Sequence, residues 1–190
     1  EIASCLVGSE MCIRDRCFPK DTNAMAQMGR KYGARLSLIE TTIARNDERK
    51  ARMGRRALEM VQNRKDAKIA VLGLAFKGGT DDCRDSPAMQ ILEEILKHNA
   101  NVCVYDPKAM ENAQRLLNTR VSYADSAEEA CKGADLAVIL TEWEEFKDLD
   151  LSKLKQTMKM PQILDLRNML DGQSAQDQGS VSYTHLTLPT

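Results

Sequence analysis

The stretch KIAVLGLAFKGGTDDCRDSP, residues 68–87, decides the fold. Its first nine residues form a nearly continuous apolar run, which is typical of a parallel strand buried on both faces. A glycine-containing polar loop follows, and Ser86 and Pro87 stand where a helix takes its cap and its first residue. This order predicts one unit of an α/β fold, with a helix N-terminus suited to anions at the carboxyl end of the strand.

The alternation of strand and helix continues to about residue 172. Helices are predicted at residues 86–100, 108–118 and 126–132, the last closed by Gly133. Strands are predicted at residues 68–76, 101–105, 121–124, 135–141 and 162–166, with the fifth as the last of the sheet. Residues 66–172 therefore predict a Rossmann-like, doubly wound parallel α/β sheet that binds ligands at the carboxyl ends of its strands. Trp143 and Phe146 are expected to anchor its core.

A long helix is predicted upstream of the sheet, over residues 33–65. Residues 32–64 contain no proline, and apolar residues recur there at helical spacing. A helix of about 30 residues is longer than a small domain needs, so it is interpreted as a connector or as the spine of a dimer. Two shorter helices broken near Asn46 or Gly54 are the alternative.

Neither end of the chain fits this pattern. Residues 1–16 and about 173–190 lack periodicity, and EMCIRDR (10–16) and VSYTHLTLPT (181–190) resemble translated sequencing-adapter read-through. The two ends are therefore interpreted as a non-native leader and a disordered or artefactual tail, outside the fold.

Composition and charge narrow the class of protein. A net charge of −1 gives no reason to expect nucleic acid or an anionic membrane surface as a partner, and no apolar run approaches the roughly 18 residues of a membrane span. The six cysteines include no CxxC pair, so no zinc or other metal site is predicted, and the pattern indicates a reduced, cytoplasmic protein. Cys103 and Cys131 are expected to be buried as small hydrophobes.

The first group of candidate reactive residues is Cys17-Phe18-Pro19-Lys20-Asp21. A cysteine attacks a carbonyl carbon as its thiolate, and a nearby cation, for which Lys20 is the candidate, favours that form. Asp21 supplies a carboxylate that can orient or deprotonate a water. Taken alone, a cysteine beside a proline is more often an unreactive loop residue.

Two further groups follow strands at the predicted ligand edge. Lys77 and Arg84 place positive charge in the loop after the first strand. The glycines of that loop do not form GxGxxG, so it predicts a phosphate-bearing ligand without the usual dinucleotide fingerprint. The alternative is a polar loop in which Asp81, Asp82 and Arg84 pair with one another. Arg167, in DLRN at 165–168, can donate hydrogen bonds to a phosphate or a sugar hydroxyl. The alternative interpretation is that Arg167 forms a solvated salt bridge.

Taken in order, these motifs resemble the UDP-glucose and GDP-mannose dehydrogenase family. The resemblance runs from Cys17 to about Leu170 and includes CFPKD, GLAFK followed by TDDxRxSP, VYDPKAMENA, ILTEW and DLRN. CFPKD and ILTEW look more like the UDP-glucose branch than the UDP-N-acetylmannosamine branch. Members of the family oxidise the primary alcohol of a nucleotide sugar to a carboxylate with two NAD⁺.

The resemblance implies a role for each candidate residue. Cys17 matches the nucleophile that carries thiohemiacetal and thioester intermediates, and Asp21 matches the residue that assists water. Lys20 and Arg84 match contacts to NAD. The residues matched to the UDP-sugar site, here for UDP-glucose, are Phe76, Lys77 and Arg167. The long helix resembles the central helix through which the family forms homodimers.

The chain also departs from the family pattern. The family has a glycine-rich loop and a serine before the cysteine, where MCIRDR stands here, and Leu166 stands where glycine is usual and is expected to crowd Arg167. The dinucleotide-binding domain with its GxGxxG is not in the 190 residues. The chain is therefore interpreted as a C-terminal fragment, inactive by itself. The alternatives are a non-catalytic UDP-sugar-binding or dimerisation module, and a fragment of a GDP-mannose or UDP-N-acetylmannosamine dehydrogenase.

Overall fold

A helical hairpin precedes a parallel sheet in the computed structural model, which describes residues 18–98, 101–170 and 181–182, the last two by their backbone alone. The hairpin consists of α1, Phe18–Lys31, and α2, Ser37–Met60. The strands are β1 Lys68–Leu72, β2 Asn101–Tyr105, β3 Ser122–Tyr123, β4 Leu136–Ile139, β5 Gln162–Asp165 and β6 Val181–Ser182. The remaining α-helices are α3 Pro87–Leu96, α4 Met110–Leu117, α5 Ala127–Cys131, α6 Glu144–Lys147 and α7 Leu151–Thr157.

The sheet is doubly wound, as the sequence predicts. Its strand order is β3-β2-β1-β4-β5-β6, and every neighbouring pair is parallel. The chain leaves β1 toward one edge, returns to add β4 on the other side of β1, and then builds toward the opposite edge. The connections therefore diverge between β1 and β4, and in open α/β sheets ligands bind in the crevice above such a switch point.

The first strand is shorter than predicted. The expected strand over residues 68–76 ends at Leu72, because Gly73 has a φ of +91° and turns the chain out of the sheet. The backbone N–H groups of Leu74 and Ala75 then donate to the carboxylate of Asp106 rather than to a neighbouring strand. The apolar run thus continues into a buried loop that a sequence pattern does not separate from a strand.

Other boundaries also differ from the predictions. The helix expected at 108–118 begins at Met110, because the N–H groups of Lys108 and Ala109 donate to Asp106. The expectation that β5 is the last strand is wrong, since β6 pairs with it in parallel. The helices α6 and α7 were not predicted. The helices expected at 86–100 and 126–132 and the strands expected at 121–124, 135–141 and 162–166 are each shorter by one or more residues.

The long helix is present but begins later than predicted. Residues 32–36 separate α1 from α2, and the turn contains Gly33 at a φ of +70° with Ala34 N–H donating to the carbonyl of Gly29. The helix α2 then runs unbroken for 24 residues, so the alternative of a break near Asn46 or Gly54 is wrong. Gly54 is instead a packing position, since a Cβ there would lie 2.6 Å from the Cβ of Glu94 on α3.

The hydrophobic core lies between the sheet and its flanking helices. Trp143 and Phe146 are both buried in it, as predicted. Cys103 and Cys131 are buried free thiols, which confirms their expected role as small apolar side chains. None of the helices within the described ranges combines the length and apolarity needed to cross a membrane.

Asp135 links the segment that follows α2 to the sheet. The buried carboxylate accepts a hydrogen bond from the Arg64 guanidinium at 2.8 Å and another from the Lys68 backbone N–H at 2.9 Å. Burial alone would raise the pKa of Asp135. The hydrogen bonds and the charges of Arg64 and Lys159 outweigh that effect, and the pKa lies below its usual value of 3.8.

We expect Asp135→Asn to lower the free energy of unfolding by about 2 kcal/mol at neutral pH, because the substitution removes the charge that accepts both hydrogen bonds. A folded-state pKa below the unfolded value contributes stability above roughly pH 4, and that stability is lost as the pH falls through the folded pKa. Urea unfolding at a series of pH values should therefore show that the free energies of unfolding of the wild type and the variant become equal in acid. The exposed Asp148→Asn is the control, and a gap that persists unchanged in acid would contradict the assignment.

Candidate functional site

The candidate site is the crevice at the carboxyl ends of β1, β4 and β5. Three segments border it: the loop after β1 at residues 73–84, the end of β4 at residues 141–143, and the turn after β5 that carries Arg167. All three leave the same edge of the sheet, because the strands are parallel. The switch point between β1 and β4 thus falls within the group of residues predicted to bind a phosphate-bearing ligand.

Direct packing fixes the loop after β1 against the end of β4. A Cβ at Gly73 would lie 2.5 Å from the Cβ of Thr141, and one at Gly78 would lie 2.3 Å from the carbonyl oxygen of Glu142. The Thr141 hydroxyl also donates to the carbonyl of Ala75 at 2.7 Å. These two glycines therefore serve close approach of two backbones and not the cradle of a dinucleotide pyrophosphate.

Asp106 organises the crevice from below, a role that no sequence motif predicted. Its Oδ2 accepts hydrogen bonds from the N–H groups of Leu74 and Ala75 and from the Trp143 indole at 3.1 Å, while its Oδ1 accepts from two backbone N–H groups after β2. The carboxylate is buried. An aspartate followed by proline at the end of a strand was the available signal, but it indicates a turn and not a link to β1 and Trp143.

Phe76 and Lys77 lie side by side in the loop after β1. Phe76 is buried, and its backbone N–H donates to the carbonyl of Asp82 at 3.0 Å, which closes the loop. The Lys77 ammonium lies 5.4 Å from the centroid of the Phe76 ring, within cation–π range. A partly buried cation is thereby held at the ligand edge of the sheet.

Arg167 is mostly buried, so the salt bridge of the alternative interpretation is present, with Glu142, but it is not solvated. Its side chain is 12% exposed, and its Nε donates to the carbonyl of Leu140 at 2.7 Å and lies 3.4 Å from Oε2 of Glu142. The carboxylate of Asp165 accepts the Arg167 backbone N–H and so shapes the turn. Leu166 packs against the hydrophobic core, and the Arg167 side chain still reaches the end of β4.

Arg84 stands apart from Lys77 and Arg167. Its side chain is exposed and forks onto Asp82, with Nε donating to Oδ1 at 2.9 Å and Nη2 donating to Oδ2 at 3.0 Å. The Asp81 carboxylate accepts from the Asn112 amide of α4 instead. Pairing within the loop, the alternative interpretation of this motif, is therefore what the structure shows for Asp82 and Arg84.

The described residues of the cysteine motif lie on the first helix and not on the segments that border the crevice. Lys20 and Asp21 are exposed in the first turn of α1, and Cys17 lies outside the described residues. Cys83 is the thiol closest to the crevice in sequence. It is buried, and burial, with the negative charges of Asp106 and Asp82, raises its pKa to about 12, so it is a structural thiol and not a nucleophile.

No cluster of three or more metal-ligating side chains occurs in the part of the chain that the structure describes. The charged side chains that follow β1, β4 and β5 at the crevice include the cations Lys77 and Arg167 and the carboxylate of Glu142. Such a set suits an anionic ligand that also presents hydrogen-bonding groups.

Comparison with known proteins finds a family match over the sheet domain. Residues 70–172 match the model of the UDP-glucose/GDP-mannose dehydrogenase family, UDP binding domain. A UDP-glucose 6-dehydrogenase of Rhizobium meliloti is 46% identical over 80% of this chain and 35% of its own length. UDP-glucose 6-dehydrogenase TuaD of Bacillus subtilis is 35% identical over 88% of this chain and 36% of its own length.

A solved structure shares the fold. A UDP-glucose dehydrogenase from Pyrobaculum islandicum superimposes with a TM-score of 0.71 at 28% identity, covering 87% of this chain and 35% of that one. The chain thus spans about a third of the length of the proteins it matches.

Proposed function

The chain belongs to the UDP-glucose/GDP-mannose dehydrogenase family, and on that premise we propose that its sheet domain binds the UDP moiety of UDP-glucose at the carboxyl edge. One observation carries the proposal. The residues matched to the family's UDP binding domain, 70–172, are those that build the crevice and hold Lys77 and Arg167 there.

The chemistry of the crevice suits a nucleoside diphosphate. Arginine offers a planar fork of N–H donors that matches phosphate oxygens, and lysine adds a compact positive charge. Both side chains are only partly exposed, so their charges are less screened by water and salt than those of surface residues. Phe76, buried beside Lys77, gives this part of the loop a fixed apolar support.

For the whole protein we propose the oxidation of UDP-glucose to UDP-glucuronate. NAD⁺, held by Arg84 and Lys20, would supply the hydride acceptor for both oxidations, and the chain's own part is the covalent chemistry. The Cys17 thiolate adds to the aldehyde formed first, which gives a thiohemiacetal; loss of the second hydride leaves a thioester. Asp21 assists the water that hydrolyses the thioester, which releases the acid and restores the thiol.

Arg84 and Lys20 are the residues that we assign to the cofactor. Arg84 stands exposed two residues before the capped N-terminus of α3, a setting that favours a phosphate group. The loop before it contains no GxGxxG, so these residues fit a contact at one edge of NAD and not a complete dinucleotide site.

We also propose that two copies associate through the helical hairpin. None of residues 37–49, the first half of α2, is buried, and four large apolar side chains of the hairpin are exposed: Met25, Met28, Tyr32 and Leu38. Exposed large apolar side chains on one helical hairpin are typical of a protein interface. The free thiols of Cys83, Cys103 and Cys131 support a cytoplasmic, reducing location.

With UDP-glucose and NAD⁺ we expect the 190-residue chain to bind the nucleotide sugar but to form no NADH. Positioning of hydride donor and acceptor supplies about 7–11 kcal/mol of such a barrier, and a contact at one edge of the cofactor does not provide it. Calorimetry measures binding, and ultraviolet absorbance measures NADH.

Binding without turnover would favour the UDP-sugar-binding role of this part of the protein. Steady NADH formation would contradict the expected inactivity. Tighter binding of GDP-mannose or UDP-N-acetylmannosamine than of UDP-glucose would move the assignment to another branch of the family.

Cys17 is expected to react with iodoacetamide at least about tenfold faster than Cys83 near pH 7, because a thiol beside a cation ionises more readily than a buried one. Mass spectrometry of the digested chain gives both rates in one experiment. Lys20→Ala should slow the reaction at Cys17 and leave Cys83 unchanged. Equal rates at the two cysteines in the unmodified chain would exclude an activated Cys17.

A further inference from the structure

Glu142 is a carboxylate in the crevice that the proposed function leaves without a role. It follows β4, and its side chain is 15% exposed. Its Oε1 accepts the backbone N–H of Gly78, in the loop after β1, at 3.2 Å. Its Oε2 lies 3.4 Å from Nε of Arg167, in the turn after β5. One side chain therefore contacts both segments that carry the proposed phosphate-binding cations.

The hydrogen bonding of Glu142 differs from that of the purely structural carboxylates. Asp106 and Asp165 are buried and accept several backbone N–H groups each. The Oε2 atom of Glu142 is buried as well, yet it accepts no hydrogen bond from the described residues. A buried acceptor without a donor costs free energy, so the placement of Glu142 needs a reason other than the stability of a turn.

The opposite charge of Arg167 supplies that reason. Its Nε donates to the carbonyl of Leu140, and the negative charge of Glu142 lies 3.4 Å from the same nitrogen. Two constraints on one guanidinium restrict rotation of the arginine side chain. A side chain that is ordered before the ligand arrives loses less conformational entropy on binding, by about 0.5–1.5 kcal/mol for a flexible residue.

Glu142 also contacts the loop after β1. The carbonyl of Glu142 packs directly on Gly78, where a Cβ would lie only 2.3 Å away, and the Glu142 side chain bonds the Gly78 N–H. Lys77 precedes Gly78, so fixing Gly78 also fixes the backbone from which the Lys77 ammonium extends. The two cations follow strands that are not neighbours, β1 and β5. Glu142 follows β4, which lies between them, and so connects the two segments.

We infer that Glu142 is a positioning residue that sets Arg167 and the Lys77-Gly78 segment relative to each other for a diphosphate-bearing ligand. The inference rests on the proposed function for its ligand, but the positioning itself exists without ligand. Glu142→Gln separates charge from shape, because glutamine keeps the volume and an oxygen for the Gly78 N–H while removing the charge opposite Arg167. Glu144→Gln, on the exposed side of α6, is the matched control.

The test combines nitrogen–proton spectra of the 190-residue chain with calorimetry using UDP. In ligand-free Glu142→Gln, the Arg167 Nε–H and Gly78 amide signals are expected to shift or broaden, while Glu144→Gln leaves both in place. The affinity for UDP is expected to fall about fivefold to tenfold, the range that one lost ordering constraint supports. Thermal unfolding within a few degrees of the wild type shows that the variant is folded.

Unchanged Arg167 and Gly78 signals in Glu142→Gln would overturn the positioning role, as would an affinity for UDP that stays equal or rises. A wild-type chain that binds no UDP, together with displaced signals in the variant, would reject the proposed ligand and uphold the positioning role. The failure of one proposal is thus distinguishable from the failure of the other.

Discussion

Asp106→Ala is expected to lower the free energy of unfolding by at least about 4 kcal/mol, because it leaves several buried N–H groups without an acceptor at roughly 1–3 kcal/mol each. The carboxylate accepts five hydrogen bonds, from Leu74, Ala75, Lys108, Ala109 and the Trp143 indole. These donors belong to the loops after β1, β2 and β4. Loss of the carboxylate therefore loosens three loops at the ligand edge at once.

Urea unfolding followed by circular dichroism measures the effect. Asp125→Ala, an exposed aspartate before α5, is the control and is expected to change the stability by less than about 0.5 kcal/mol. Asp106→Asn should fall between the wild type and Asp106→Ala, because its amide nitrogen faces backbone donors that an oxygen accepts in the wild type. A loss from Asp106→Ala no larger than that from the control would show that the loops after β1 and β4 hold their positions without it.

Arg167→Ala is expected to weaken UDP binding about thirtyfold, since a hydrogen bond to a charged group contributes about 1.5–3 kcal/mol and each 1.4 kcal/mol is a factor of ten. Arg167→Lys should recover part of the loss by restoring the charge but not the planar fork of donors. The Nε bond to Leu140 and the ion pair with Glu142 hold the arginine at the carboxyl edge.

The control for Arg167→Ala is an arginine that lies away from the crevice. Arg120 precedes β3 and pairs with Glu93, so Arg120→Ala removes the same side chain far from the crevice. Calorimetry should give Arg120→Ala the affinity of the wild type. If Arg120→Ala and Arg167→Ala weaken UDP binding equally, the loss reflects net charge or stability, and the crevice loses its assigned role.

The local features of the fold were predictable from the sequence. The strand at residues 101–105 has the predicted bounds, and Ser86 caps α3 as its place before Pro87 indicates. Capping and strand-forming preferences depend on neighbouring residues, so they are visible in a short window. The unbroken α2 followed from helical spacing, but its start did not, because Gly33 was compatible with either a turn or a tolerated helical glycine.

The contacts that build the site were not predictable in the same way. Asp106 lies 31 and 32 residues from Ala75 and Leu74, whose N–H groups donate to it, and Glu142 lies 64 residues from Gly78. Such pairs arise from the strand order and from where each strand ends, and a one-dimensional pattern records neither. The candidate cations were found because they are charged, whereas the carboxylates that hold their loops resemble ordinary turn residues.

Titration of the 190-residue chain with UDP, followed by the backbone amide signals, tests the central claim most directly. Binding at the carboxyl edge predicts saturable shifts at Phe76, Gly78 and Arg167, and no shift around Asp135 at the opposite edge of the sheet. Absence of saturable shifts, or shifts that gather around Asp135, would contradict the assignment of this crevice as the UDP site.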